Sequence, residues 1–211
     1  MPHCPLLGNH FFDETSARFR ASLMDVKTLL FLLLALAAPM SARAEKVVAA
    51  GVVAERLVAE ADGRMKATVL IFLAHDCPIS NALVPEMNRL AEKYCAQGVA
   101  FFFVYAERDL ADADAARHAR DFALAAPVTV DRTGALATRA GVKVTPEAAV
   151  FLPAGAVVYR GRINDLFAAL GQKRAEPTTH DLRDALDAVL AGKLPSAATT
   201  PAIGCFISTK P

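Results

Sequence analysis

The sequence predicts an α/β fold in which a mixed central sheet is flanked by helices. Two continuous apolar runs, one opening the stretch Val69 to Asn81 and one from Val99 to Tyr105, have the pattern of strands buried on both faces. Helical periodicity separates and follows them, and alternation of strand, helix and strand implies parallel pairing through helical crossovers. Pro153-Ala154-Gly155 then joins two short apolar segments too closely for a crossover, so the sheet gains an antiparallel hairpin.

The first strand runs into Cys77, and Pro78 starts a helix, the position where a missing backbone N–H costs nothing. Ile79, Leu83, Met87, Leu90 and Tyr94 recur at helical spacing and predict a core face on a helix ending near Gly98. Asp112 to Leu124 reads as a helix and Val128 to Asp131 as a short strand. Ala148 to Leu152 and Ala156 to Tyr159 form the hairpin. Asp181 to Leu190 is an amphipathic helix ending at Gly192, with Thr178 or Thr179 as its cap. Glu45 to Lys66 mixes strand and helix signals and stays open.

The apolar run Thr28 to Met40, preceded by Lys27 and followed by Ser-Ala-Arg-Ala, has the form of a signal-peptide core. At ~13 residues it is shorter than the ~20 needed to span a bilayer. Cleavage is expected after Ala44, and Met24 is the expected true start, since it stands directly before Asp25-Val26-Lys27. The predicted organisation is a leader over 1–44, one domain over 45–192 and a C-terminal tail over 193–211, in a secreted and periplasmic protein without a membrane span once the leader is removed. The formal charge of +1 falls to about zero without the leader, and no basic run is present, which argues against nucleic acid as partner.

Cys77 is the leading candidate for chemistry. Its sulfur falls at a helix N-terminus, where unpaired N–H groups and the helix dipole favour the thiolate. Asp76 works against the thiolate, and a protonated His75 would restore the balance. Ser80 stands where a second cysteine would complete Cys-x-x-Cys; it can donate a hydrogen bond to the thiolate but cannot resolve a mixed disulfide. Cys95 lies one helix away, about 27 Å at 1.5 Å per residue, against a disulfide Cα separation under ~7 Å. It is expected to pack in the core beside Tyr94. Cys205, in Gly204-Cys205-Phe206-Ile207, follows a tether of about 15 residues that could extend ~50 Å and return across the domain. Gly204 allows close backbone approach, and Phe206 and Ile207 can anchor the tail. Cys77 and Cys205 are therefore expected to pair, catalytically or structurally. His118 and His180 are expected on solvated helix faces or at a cap.

The order of strand into Asp76-Cys77-Pro78-Ile79-Ser80-Asn81, then Val144-Thr145-Pro146-Glu147 before the hairpin and Tyr159 to Asp165 after it, resembles the thioredoxin-like superfamily. More narrowly it is similar to secreted redoxins of the alkyl hydroperoxide reductase-like and thiol-disulfide oxidoreductase-like groups. The resemblance covers roughly Lys66 to Leu190. It implies a three-layer fold, a cis Thr145–Pro146 bond facing Cys77, and thiol-disulfide oxidoreductase activity on a thiol or disulfide of a protein or small molecule. Cys77 would attack, Cys205 would resolve, and Pro146 would shape the groove, with His75, Asp76, Pro78, Ser80, Thr145 and Glu147 around them; Glu147, Arg160 and Arg162 lie near the expected substrate face, with surface charge pairing as their default. No cofactor is implied. The alternative is a non-catalytic or copper-binding redoxin with Cys77, His75, Asp76 and Cys205 as ligands. A peroxidase is less favoured, because Ala74 takes the place of the Thr or Ser that would orient peroxide.

Overall fold

Every residue of Ala67–Leu73 (β1) is buried, and alternate side chains serve two different cores. Val69, Ile71 and Leu73 join one apolar cluster while Leu70 and Phe72 join another, as the two-residue period of a strand requires. The computed structural model describes residues 47–58 and 65–207. The expected leader, 1–44, lies outside these residues.

Within the segment left open by sequence, Ala50–Val58 is a helix (α1), and Val47 bridges to Val128. After β1 come the helix Pro78–Cys95 (α2), the strand Val99–Tyr105 (β2), the helix Asp112–Asp121 (α3) and the strand Val128–Val130 (β3). β2 pairs parallel with β1 from Ala67↔Val99 to Leu73↔Tyr105, and β3 pairs parallel with β2. The short helix Ala135–Ala140 (α4) precedes Val144–Thr145 (β4) and Glu147–Phe151 (β5). β5 runs antiparallel to β1, and Val157–Gly161 (β6) returns antiparallel to it across a 3-10 turn at Pro153–Gly155. The sheet order is β3-β2-β1-β5-β6. Phe167–Ala169 (β7) and Gln172–Lys173 (β8) form a small hairpin, followed by the helix Asp181–Leu190 (α5) and the strand Cys205–Phe206 (β9).

The two cores make three layers. Side chains of α2, α3 and α5 pack with one face of the sheet, among them Met87, Ala115 and Leu186. Val53 of α1 and Leu136 and Ala137 of α4 pack with the other. α2 is one unbroken helix of 18 residues despite Pro85 inside it, so Cys95 sits a full helix away from Cys77, half-buried at its far end rather than in the core.

The tail is built into the sheet. Arg160 N–H donates to Ala198 O at 2.9 Å and Thr200 N–H donates to Arg160 O at 3.1 Å, so the chain lies along β6. Gly161, with φ 156°, makes this possible: a Cβ there would stand 2.2 Å from Thr200 Oγ1. β9 then pairs antiparallel with β4 through Val144↔Phe206 and Thr145↔Cys205. Ile203 and Ile207 pack onto the two cores, whereas Phe206, expected as an anchor, is 86 % exposed because its register places it away from both.

Two helix ends also differ from expectation. α3 stops at Asp121, where Ala123 takes a positive φ of 49°. The N-cap of α5 is His180, with no side-chain cap, because the Thr178 hydroxyl is engaged by Asp165 and the Thr179 hydroxyl donates to Asp181 at 2.9 Å. Thr178 N–H and Thr179 N–H donate to Asp165 Oδ1 at 2.6 and 2.9 Å, and the Thr178 hydroxyl donates to Oδ2 at 2.5 Å. These bonds hold the Asp165 carboxyl well below the usual carboxylate range.

Phe103, fully buried in the middle of β2, fills the first core. Phe103→Ala is expected to cost about 3–5 kcal/mol in urea unfolding, with the loss read as a lower midpoint at unchanged slope.

Candidate functional site at Cys77 and Cys205

β1 ends beside a tight turn in which Cys77 N–H donates to Ala74 O at 3.2 Å. Cys77 is itself the N-cap of α2, in extended conformation with φ −80° and ψ 112°, and Pro78 occupies the first helical position. Its carbonyl accepts the Asn81 N–H at 3.0 Å, which starts the helix and leaves the N–H groups of Ile79 and Ser80 free to face the sulfur.

Thr145 and Cys205 close the site from the other side. The Thr145–Pro146 peptide is cis. Thr145 O lies 3.4 Å from Cys77 Sγ and accepts its S–H when the thiol is protonated. Cys205 Sγ stands 2.9 Å from Cys77 Sγ and donates to it. Gly204 is required for this approach, since a Cβ there would fall 2.0 Å from Thr145 O. Cys77 is only 1 % exposed, while Cys205 is at the surface.

The two thiols are unequal. Burial pushes the Cys77 thiol up, but hydrogen bonds from the Cys205 thiol, the Ser80 N–H and hydroxyl and the Ile79 N–H outweigh it and bring it below the ordinary thiol range. The Ser80 hydroxyl is buried and has no hydrogen-bond partner among the described residues, so it is available to the Cys77 thiolate. Cys205 is pushed up to about 11, first by its hydrogen bond to Cys77, then by burial, the Cys77 charge and Asp76. Asp76, exposed and directly before Cys77, also bears on Cys205.

The other expected residues hold the loops. Glu147 is buried and turned inward, accepting the Lys143 and Val144 N–H groups at 2.8 and 3.3 Å, with Arg160 Nε 3.7 Å away. It fixes the turn before Pro146 rather than facing a substrate. Arg160 also donates to Gly141 O at 2.7 Å, and Arg162 holds Asp181 through two nitrogens at 2.8 and 3.2 Å, so neither arginine is spare for substrate. His75 Nδ1 pairs with Glu107 Oε1 at 2.6 Å, and its N–H donates to Glu107 Oε2 at 2.8 Å.

His118 is a residue that sequence reasoning misplaced. It is buried, not solvated: Nδ1 meets the Tyr105 hydroxyl at 2.8 Å and Nε2 meets Asn81 Oδ1 at 3.0 Å. Asn81 Nδ2 in turn donates to His75 O at 3.1 Å, so the imidazole braces the loop that carries Cys77. Its place on α3, three residues after Ala115 and four before Phe122, is the helical spacing that could have revealed the buried face. Burial and then the charge of His75 hold His118 below the ordinary imidazole range.

Among the described residues, the side chains close enough to share an ion are His75, Asp76 and Glu107, with ligand atoms within 4.8 Å of one another. Neither cysteine belongs to this group, so the expected copper set of Cys77, His75, Asp76 and Cys205 is not assembled.

The Redoxin family profile matches residues 55–168, just over half of the chain. The chain belongs to the Redoxin family. Among solved structures, this redoxin is similar to a hypothetical protein from Sinorhizobium meliloti 1021, with TM-score 0.59 and 24% identity over 68% of this chain and 80% of that one. It is also similar to an uncharacterized conserved protein from Geobacillus kaustophilus, with TM-score 0.59 and 28% identity over 69% and 78%. A secreted Mycobacterium tuberculosis disulfide oxidoreductase matches at TM-score 0.41 and 16% identity over 62% and 84%. A search of curated protein sequences returned no match. The α/β architecture is thioredoxin-like.

Two outcomes follow for the redoxin's site. Ser80→Ala removes the hydroxyl available to the Cys77 thiolate, so thiolate absorbance at 240 nm should appear at higher pH than in the parent. His118 binds its proton less readily folded than unfolded, so the unfolded chain takes up more protons as pH falls through the ordinary imidazole value of about 6.5. Stability should therefore drop between about pH 6.5 and 5, above the carboxylate range, and His118→Gln should flatten that slope in denaturant titrations.

Proposed function

We propose that this redoxin is an extracytoplasmic thiol-disulfide oxidoreductase in which Cys77 attacks and Cys205 resolves. The observation that carries the reading is the 2.9 Å approach of Cys205 Sγ to Cys77 Sγ beside the cis Thr145–Pro146 bond. Membership of the Redoxin family supports the reaction class, and the apolar run Thr28 to Met40 with its Ala42 and Ala44 flank supports the compartment.

Cys77 thiolate attacks one sulfur of a substrate disulfide, forms a mixed disulfide and releases the other sulfur as a thiolate. Because Cys77 is covered, β9 parts from β4 for this encounter, and Pro146 shapes the exposed groove. Once Cys77 is in the mixed disulfide, its negative charge and its hydrogen bond to Cys205 are gone. The two influences of Cys77 on Cys205 disappear with them, so the second thiol becomes easier to ionise after the first has reacted. Cys205 then attacks Cys77 Sγ and expels the second substrate thiolate. Two electrons pass to the substrate, and the protein is left with a Cys77–Cys205 disulfide that an external thiol reduces. The pair is thus ordered by its own electrostatics.

With a small aromatic disulfide as substrate, Cys77→Ser should abolish turnover, while Cys205→Ser should accumulate a mixed disulfide visible by intact mass. The reduction potential of the pair should lie above about −300 mV, the region of exchangeable rather than permanent disulfides. A lower value, or full turnover in Cys205→Ser, would sink the two-cysteine reading.

A further inference from the structure

We propose that the Cys77–Cys205 disulfide is opened at Cys205: the thiolate of the external reductant attacks Cys205 Sγ, and Cys77 leaves as the thiolate. The inference rests on the reading of these residues as a redox pair and adds the sulfur at which electrons enter.

Exposure decides between the two sulfurs. Cys77 belongs to the apolar cluster that packs α2 against the sheet and is 1 % exposed, whereas Cys205 lies at the surface on β9. In the dithiol state β9 is held by two residue pairs with β4 and by Ile207 N–H donating to Lys143 O at 3.0 Å, so it can lift away. In the disulfide state a covalent bond joins the same strand to Cys77, and that route to the buried sulfur is closed. Displacement at sulfur runs in line with the bond that breaks, so the nucleophile arrives from the side away from the leaving sulfur. Cys77 is sealed among its apolar neighbours and offers such a nucleophile no open side, whereas Cys205 is exposed.

The departing group fits the same direction. The Ile79 and Ser80 N–H groups at the start of α2 face Cys77 Sγ and receive its charge, with the unpartnered Ser80 hydroxyl available beside them, and a better stabilised thiolate leaves faster. The opposite direction would expel Cys205 beside the carboxylate of Asp76. The balance is that of exchange: reductant thiolate and protein disulfide give a mixed disulfide on Cys205 and the Cys77 thiolate. A second thiolate of the reductant attacks the reductant-side sulfur of that mixed disulfide, forms the oxidised reductant and releases Cys205, which takes up a proton. Asp76 then acts as a selectivity element, since its charge bears on Cys205 and repels an anionic thiolate more than a zwitterionic one.

The test uses the full chain, oxidised to its internal disulfide, mixed with excess glutathione, quenched with acid at early times and mapped by peptide mass spectrometry. Glutathione should be found on the Cys205 peptide in about tenfold or greater excess over the Cys77 peptide. Asp76→Asn should raise the initial rate with glutathione several-fold and change the rate with cysteamine less. Adduct mainly on Cys77, or divided evenly, would overturn the inference while leaving the redox pair intact. An oxidised chain whose mass shows no internal disulfide would remove both.

Discussion

Two residue pairs, Val144↔Phe206 and Thr145↔Cys205, hold the candidate site together. They place a cysteine from the far end of the chain against the helix that begins at Cys77. Main-chain pairing of such a short strand is weak alone, so the register depends on what lies upstream. Thr200 supplies it: its hydroxyl meets the Tyr159 hydroxyl at 2.8 Å and accepts the Arg162 N–H at 3.2 Å. The tail is thereby fixed along β6 before it crosses to β4, and the free length that remains is short. Fixing one end of a segment raises the effective concentration of the other, and that is how a distant cysteine comes to act as a local one.

The unequal exposure of the two sulfurs gives the site a direction. The buried one is chemically prepared, with helix N–H groups and a serine hydroxyl around it. The exposed one is held protonated by its neighbour. Neither property belongs to one residue alone. Titration of either thiol changes the other, so the macroscopic behaviour is that of a coupled pair. A local Cys-x-x-Cys would keep both thiols on one helix end; here the partner sits on a strand that can separate.

Much of the sheet was legible in the sequence because strands covered on both faces must be apolar throughout, and Val69 onward and Val99 to Tyr105 are. Cys77-Pro78 was legible for a local reason, since proline at the first helical position announces where the helix begins. Chain-length arithmetic excluded Cys95 and left Cys205 as the expected partner, with Gly204 read as the close-approach residue, but it gave no path for the tail. The path is set by the absence of a side chain at Gly161 and by the Thr200 hydroxyl, and neither has a periodic signature. His118 was misread for a related reason: its partners Tyr105 and Asn81 are 13 and 37 residues away, so helix composition alone pointed to solvent. Glu147 and the arginines were placed near the right loop and expected to pair charges there, which left the inward turn of the carboxylate unread. Backbone N–H groups that need acceptors turned the carboxylate inward.

Gly204 carries a consequence out of proportion to its size. Its Cα lies so close to the Thr145 carbonyl that a single methyl group would collide with it. A chain with any other residue at that position would keep both cysteines in its sequence and lose the pair in space. Counting cysteines would then misclassify it as a two-thiol protein when it behaves as a one-thiol protein. Among relatives of this chain, a glycine before a tail cysteine is therefore a better marker of the same sulfur-to-sulfur approach than the cysteine itself.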